Sequence, residues 1–289
     1  MADTVAVIDR QAPPSGFFIR ECLDWVCRDQ AANNLPVTLL DRALHEPAFK
    51  ESLYLVASRR QDQIAALAWR SHFPKMGLST AVQIDAVDEI AARVREDIPD
   101  LPCVMGPEQE ARRFVRAWCR SGDPEPALGV GQRIYQLDRV ITHASVPGTL
   151  RRANESELPL LVTWTAHFYE ELHMPHQQTL QQLEVEARRH LSGGRLFIWQ
   201  DKEPVCFVGA GGPQGLVARI GPVYTPPERR RRGYAGAAVA AVSQLMLDRG
   251  HPVCCLHTDT SNPTSNHIYQ EVGYQPVRDV EEYWFQPQP

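Results

Sequence analysis

The chain has 289 residues, of which 43% are hydrophobic and 22% charged, so it is long enough for two domains with a sizeable core. Its formal net charge of −5 argues against a general nucleic-acid binder, because such proteins are usually basic overall. No window approaches the roughly 20 apolar residues of a membrane span, and the first residues lack the pattern of a signal peptide. The seven cysteines are scattered without a CxxC pair. We therefore expect a cytoplasmic protein with reduced thiols.

Hairpins alternate with helices in the first half of the chain. The apolar runs 53–58 and 64–69 predict a hairpin, because a short polar stretch separates them. The other predicted elements are helices at 18–30 and 87–94, a strand at 102–105, a helix from 106–107 to 118 with a proline in its first turn, and a strand at 132–137. The stretch 142–148 is polar and holds a Pro-Gly pair, so we predict domains at 1–145 and 146–289.

The second half predicts a similar order of elements. They are a strand at 150–153, helices at 155–172 and 180–191, strands at 195–200, 204–211 and 216–224, a helix from the arginine run to 249, a strand at 253–257, a short helix at 265–272 and a last strand near 280–285. Because both halves mix hairpins with helices, the sequence predicts an α+β fold with a mixed, mostly antiparallel sheet in each half, flanked by helices.

Four consecutive arginines, Arg229 to Arg232, stand directly before Gly233. They follow an apolar strand that two prolines end, and they precede apolar residues at helical spacing. A helix N-terminus carries partial positive charge, arginine forks bind phosphate oxygens, and glycine lets the backbone approach a ligand. Two interpretations stay open on this ground: a loop that binds one anion, and a solvated basic turn that starts a helix.

Two motifs resemble those of the GCN5-related N-acetyltransferases (GNATs). Residues 230–235, RRRGYA, fit that family's Q/R-x-x-G-x-G/A motif, and VYTPPERRRRGYAGAAV resembles its strand, pyrophosphate loop and helix in order and spacing. The stretch TDTSNPTSNHIYQEVGY, residues 258–274, is similar to its second signature, with Asn262 after a strand, Tyr269 seven residues later and Gly273-Tyr274 closing a short helix. The resemblance covers about residues 149–289.

The resemblance implies acetyl-CoA as co-substrate and no metal. In the family, the strand before the loop splays from its neighbour and its backbone pairs with the pantetheine arm, a place taken here by Val223, Tyr224 and Thr225. The residues that would hold the pyrophosphate are Arg230, Arg231, Arg232, Gly233, Tyr234, Ala235 and Gly236. Asn262 would contact the co-substrate from the following loop, and Asn266 would either do the same or cap the helix of Tyr269.

The implied reaction is transfer of the acetyl group to a primary amine by direct attack. Tyr269 matches the family's general acid, because a phenol with a pKa of about 10 can protonate a departing thiolate. A backbone N–H near 223–225 would polarise the carbonyl oxygen. As general base we predict Glu171, beside Glu170 on the first helix of the second half. His257 and Asp259 are rivals, whereas Cys254 and Cys255 are discounted as nucleophiles, because buried strand cysteines are usually inert.

The first half lacks both motifs. Its order of elements suits a degenerate copy of the same fold, as in tandem members of the family, so we expect the second domain alone to bind acetyl-CoA. The acceptor is an amine on a small molecule or a protein. A non-catalytic CoA-binding or regulatory protein of this fold is the alternative, and nucleic-acid binding through Arg229 to Arg232 is disfavoured by the net charge of −5.

Overall fold

The structure is a computed structural model that describes residues 7–71, 75–141, 146–171 and 179–285. The chain divides into two compact units. The first comprises Met1–Ile134, Asp259–Ser261 and Val277–Gln288, and the second comprises Tyr135–Thr258 and Asn262–Pro276. None of the helices in the described ranges is both long and apolar enough to span a membrane.

The first unit is a sheet flanked by helices. Its strands are β1 (Val7–Gln11), β2 (Tyr54–Arg60), β3 (Gln63–Arg70), β4 (Lys75–Leu78), β5 (Cys103–Pro107) and β6 (Ala127–Leu128). Its helices are α1 (Gly16–Val26), α2 (Asn34–His45), α3 (Pro47–Glu51), α4 (Ala86–Asp97) and α5 (Glu108–Trp118). The strand order is β1-β2-β3-β4-β5, and the pairing is antiparallel except between β4 and β5.

The second unit repeats this plan. Its strands are β7 (Gln132–Leu137), which begins in the first unit, β8 (Thr149–Arg152), β9 (Leu196–Asp201), β10 (Glu203–Gly211), β11 (Ala218–Tyr224) and β12 (Cys254–Asp259). Its helices are α6 (Leu158–Glu171), α7 (Leu180–Ser192), α8 (Tyr234–Asp248) and α9 (Pro263–Val272). The strand order is β7-β12-β11-β10-β9-β8, and β11 is parallel to β12 but antiparallel to β10. The predicted α+β class with mostly antiparallel sheets is confirmed.

The last strand, β13 (Gln275–Trp284), decides where the compact units divide. Its residues Val280 to Trp284 pair antiparallel with β5, so the segment from Val277 onward belongs to the first unit. The sequence predicted a single division at 145/146, which assigns this segment to the second half. The two divisions differ because a strand joins the sheet whose edge it pairs with, wherever it stands in the chain. Residues 142–145 of the predicted linker lie outside the described residues.

Strand alternation gives the second unit's sheet two apolar faces, because successive side chains point to opposite sides. One face packs with α8 and includes Cys206, Val208, Ala218, Ile220, Cys254 and Leu256. The other packs with Leu161 and Trp164 of α6 and includes Ile198, Phe207 and Tyr224. We call these the α8 face and the α6 face.

Candidate functional site

Strands β11 and β12 separate soon after they start. Their described pairing consists of Ala218 opposite Cys254 and Arg219 opposite Cys255, whereas β11 continues to Tyr224. On its other side β11 stays paired with β10 as far as Tyr224 opposite Phe207. Among the described residues, the stretch 220–224 therefore turns one backbone edge toward no strand. Such an edge can pair with an extended ligand.

A β-bulge marks the separation. Val208 pairs with Val223 and Ala210 with Ile220, so Gly209 faces two residues of β11, Gly221 and Pro222. A Cβ atom at Gly209 would lie 2.5 Å from the Gly221 carbonyl oxygen, so the close approach requires glycine. A bulge bends its strand, and a proline has no N–H for the ladder, so the bulge accounts for the departure of β11 from β12.

The loop after β11 leads directly into the N-terminus of α8. A 3₁₀ turn covers Pro227 to Arg229, and Gly233 caps the helix with a φ of 78° and no capping side chain. Arg231 also has a positive φ, 61°, which is uncommon outside glycine. The first N–H groups of a helix have no partner within it, so the N–H groups of 234–236 are donors at the positive end of the helix dipole.

The four arginines have different surroundings. Arg229 forms an ion pair with Glu203, and Arg230 binds both carboxylate oxygens of Glu171 at 2.6 and 2.7 Å. Arg230 also donates to the Thr225 carbonyl oxygen at 2.8 Å. Within the part of the chain that the structure describes, Arg231 and Arg232 form no salt bridge. Their charges are therefore available to an anion at the start of α8.

Glu171, predicted as general base, lies at the end of α6 with both oxygens held by Arg230. Asp259, its rival, accepts hydrogen bonds from the backbone N–H and hydroxyl of Ser261, each at 2.7 Å. Burial, and then the positive charge of Arg219, lower the pKa of His257 to about 3. An imidazole with this pKa is a weak base for an ammonium group of pKa about 10.4.

Tyr269 lies on α9, half-buried against the α8 face. Its ring meets that of Tyr274 edge-on with centroids 6.2 Å apart, and the Tyr274 hydroxyl lies 2.7 Å from that of Ser243. Burial, and then the nearby thiol of Cys206, raise the pKa of Tyr269 to about 12. The phenol therefore keeps its proton throughout the physiological range. Burial also raises the pKa of Cys254 to about 12, as expected of an inert strand thiol.

The two asparagines of the second motif hold the start of α9. Asn262 is the N-cap, because its side-chain oxygen accepts from the Ser265 N–H at 3.0 Å. Asn266 donates to the Asn262 carbonyl oxygen at 2.7 Å, and its own side-chain oxygen accepts from the Tyr135 hydroxyl at 3.1 Å. The capping role considered for Asn266 therefore belongs to Asn262, because the N-cap residue is the one whose side chain reaches the N–H of the first turn.

This cap gives a stability prediction. Asn262→Ala removes the acceptor of the Ser265 N–H and is expected to lower the free energy of unfolding by about 1 kcal/mol in urea denaturation. Asn262→Asp is the matched control, since a carboxylate caps equally well and should keep the stability within about 0.5 kcal/mol of wild type. An alanine variant as stable as wild type would contradict the assigned cap.

Arg219 is the charged residue of this region that the sequence analysis missed. It lies inside β11 between two core residues and faces away from them. The sequence signal that could have identified it is a single arginine within the otherwise apolar run 217–224.

In the described ranges, no three His, Cys, Asp or Glu side chains gather as a metal site requires.

Comparisons with known proteins agree with this geometry. Residues 213–285 match the family model described as FR47-like protein, and a sequence search of curated proteins finds no match. An acetyltransferase of the GNAT family from Colwellia psychrerythraea has 12% identity over 97% of this chain and 100% of its own, with a TM-score of 0.62. A GCN5-related N-acetyltransferase from Sphaerobacter thermophilus has 16% identity over 98% and 97%, with a TM-score of 0.62.

A tandem arrangement is also represented among similar structures. A tandem GNAT protein from the clavulanic acid biosynthesis pathway is 9% identical, covers 99% of this chain and 100% of its own, and has a TM-score of 0.58. At such identities the similarity concerns the fold. The resemblance predicted from the two motifs is confirmed: this chain has the fold of the GCN5-related N-acetyltransferase superfamily.

Proposed function

We propose that this chain is an acetyl-CoA-dependent N-acetyltransferase whose second unit transfers the acetyl group to a primary amine. The proposal rests on one observation: two features lie next to each other at one end of β11. Its unpaired backbone edge, 220–224, leads within a few residues to the glycine-capped start of α8. An extended arm and a diphosphate on the same ligand match these two features in this order.

The residues present fit acetyl-CoA. Val223, Tyr224 and Thr225 end the unpaired edge and would pair with the pantetheine arm. The N–H groups of 234–236 and the side chains of Arg231 and Arg232 would hold the diphosphate, while Arg230, bound to Glu171, would shape the loop. A Cβ atom at Gly233 would lie 3.0 Å from Val146, so a larger residue would crowd this cradle. Asn262 would support the co-substrate indirectly, by fixing the start of α9.

Acetyl-CoA supplies the activated acetyl group when it is bound. The amine nitrogen forms a bond to the carbonyl carbon, the carbon–sulfur bond breaks, and Tyr269 gives its proton to the leaving sulfur. A backbone N–H of 223–225 would stabilise the charge on the carbonyl oxygen. The phenol, with its raised pKa, is fully protonated for this role and recovers its proton from solvent afterwards.

The attacking amine must lose a proton, and Glu171 stays our proposed base. Its contact with Arg230 holds its position at the loop but also occupies both carboxylate oxygens, which an attacking amine would need to reach. This contact favours the alternative, a CoA-binding or regulatory protein without turnover. Thiol release from acetyl-CoA with a panel of primary amines distinguishes the two: amine-dependent release supports the enzyme, and tight binding without release supports the alternative.

In the first unit, the loop between β4 and α4 corresponds to the loop between β11 and α8 of the second unit. Its surroundings differ. The Glu110 carboxylate accepts from the Ala81 N–H at 2.8 Å, so an acidic side chain of the unit already occupies this loop. Asp88 and Glu89 stand in the first turn of α4, where Arg113 and Arg60 are bound to them, so these two arginine charges are not free for a phosphate. Strands β4 and β5 stay paired over three positions of the four-residue β4.

We therefore expect one acetyl-CoA site per chain. Isothermal titration calorimetry should give a stoichiometry of one for the full-length protein. Glu110→Gln serves as the control, because it removes the charge from the first unit's loop and leaves α8 untouched, and it should give the same stoichiometry. A value of two for wild type would show that the first unit binds the co-substrate as well.

A further inference from the structure

Arg219 occupies the closed end of the gap between β11 and β12. It stands opposite Cys255 at the last described pairing position, immediately before the strands separate. Its neighbours Ala218 and Ile220 pack on the α8 face, so alternation directs Arg219 to the α6 face, the face of Trp164 and Tyr224. The guanidinium therefore lies on the α6 face of the sheet. It is next to the end of any ligand that enters the gap between the two strands.

Among the described residues, no acidic side chain pairs with this arginine. Within the described ranges the Arg219 side chain forms no salt bridge and no hydrogen bond, and the residue is half-buried. Its charge acts on two ionisable groups of the neighbouring strand β12, Cys255 and His257. Both lie on the same face of the sheet as Arg219, because Cys254 and Leu256 face α8. Burial lowers its pKa, and the Cys255 thiol acts in the opposite direction. A half-buried guanidinium without a counter-ion can bind an anionic ligand through its free N–H groups.

The diphosphate of acetyl-CoA is too distant to be that partner. Arg219 precedes Thr225 by six residues, which corresponds to roughly 20 Å of extended strand at about 3.3 Å per residue. The loop that would hold the diphosphate lies beyond Thr225. The charge of Arg219 is therefore placed for a group at the opposite end of the gap, where acetyl transfer would occur.

We propose that Arg219 binds a carboxylate of the amine acceptor, so that the substrates are amino acids or peptides with a free carboxylate near the reacting amine. This inference rests on the proposed function. A guanidinium matches a planar carboxylate with two parallel hydrogen bonds. A phosphate dianion would require further positive charge, and the neighbouring His257 is neutral at physiological pH.

Matched acceptor pairs test this inference. The pairs are glycine with glycinamide, β-alanine with β-alaninamide, and 4-aminobutyrate with its amide, and the readout is thiol release at saturating acetyl-CoA. Wild type should favour the carboxylate in at least one pair, and Arg219→Gln should reduce that preference in kcat/KM by roughly 10- to 100-fold, as expected for a lost charge-assisted pair. Comparing ratios between the proteins cancels the different reactivities of the amines.

Two variants complete the comparison. Arg219→Lys keeps the charge without the fork and should retain part of the preference. Arg188→Gln is the control, because Arg188 is an exposed residue of α7 paired with Glu184, and it should match wild type. If Arg219→Gln slows both members of a pair equally, the arginine acts on a step common to all acceptors and the inference is overturned. Equal rates for both members in wild type would overturn it too.

A binding measurement keeps the inference separate from the proposed function. The imidazole resonances of His257, assigned with His257→Gln, report on Arg219 without turnover. β-Alanine should shift them saturably in wild type and Arg188→Gln, but neither in Arg219→Gln nor when β-alaninamide is added. Persistence of the shift in Arg219→Gln would overturn the carboxylate site. If calorimetry on these proteins detects no acetyl-CoA binding while the shift remains, the proposed function fails and the carboxylate site stands.

Discussion

Tyr269→Phe is expected to lower turnover by roughly 10²- to 10⁴-fold, the usual contribution of a positioned proton donor. The substitution removes only the hydroxyl, so the edge-on contact of its ring with Tyr274 should survive. The loss should appear equally in kcat and kcat/KM, because the proton is given in the transition state. Steady-state kinetics with the best amine, with chemistry as the slow step, measures it.

The affinity for acetyl-CoA provides the control for this variant. It should stay close to wild type in calorimetry, since the hydroxyl acts on the departing sulfur and the backbone of α9 is unchanged. Because the pKa of Tyr269 is raised to about 12, its ionisation should cause no loss of rate in wild type until the pH approaches that value. A phenylalanine variant with the wild-type rate would make Tyr269 a packing residue, and the sulfur would take its proton from elsewhere.

Gly233→Val is expected to weaken acetyl-CoA binding by more than about 10-fold. A φ of 78° disfavours any residue with a Cβ by roughly 1–2 kcal/mol, and valine is β-branched, so the loop must leave the conformation that caps α8. The new Cβ atom would also lie 3.0 Å from Val146, at the place where the backbone must approach the diphosphate. Calorimetry on the folded variant gives the change in affinity.

Gly215 supplies a matched control for this substitution. Its φ of 72° is close to that of Gly233, and a Cβ atom there would meet nothing within 4 Å. Gly215→Val therefore brings the same backbone strain to the turn between β10 and β11 without touching the loop before α8. It should bind acetyl-CoA about as well as wild type. Equal affinity of folded Gly233→Val and wild type would mean that the loop 230–236 does not hold the diphosphate.

The elements that the sequence predicted well have strong local patterns. The hairpin of β2 and β3 and the helix α8 have clear periodicity and flanking signals, and both are confirmed. The strand β1 and the helices α2 and α3 were missed; β1 and α3 have only five residues each, which is too few for a clear period. The helix predicted at 18–30 ends at Val26, where a 3₁₀ turn follows.

The sequence by itself determined the resemblance to the GNAT superfamily. The glycine-capped helix start and the asparagine-to-tyrosine spacing are local features, and local backbone rules suffice to recognise them. Only the tertiary structure decided which charges meet. The pairing of Glu171 with Arg230 joins residues 59 positions apart, β13 joins β5 of the first unit, and Arg219 faces the α6 side of the gap without a carboxylate among the described residues. Such contacts depend on strand pairing and on the bulge at Gly221, which no periodicity in the sequence specifies.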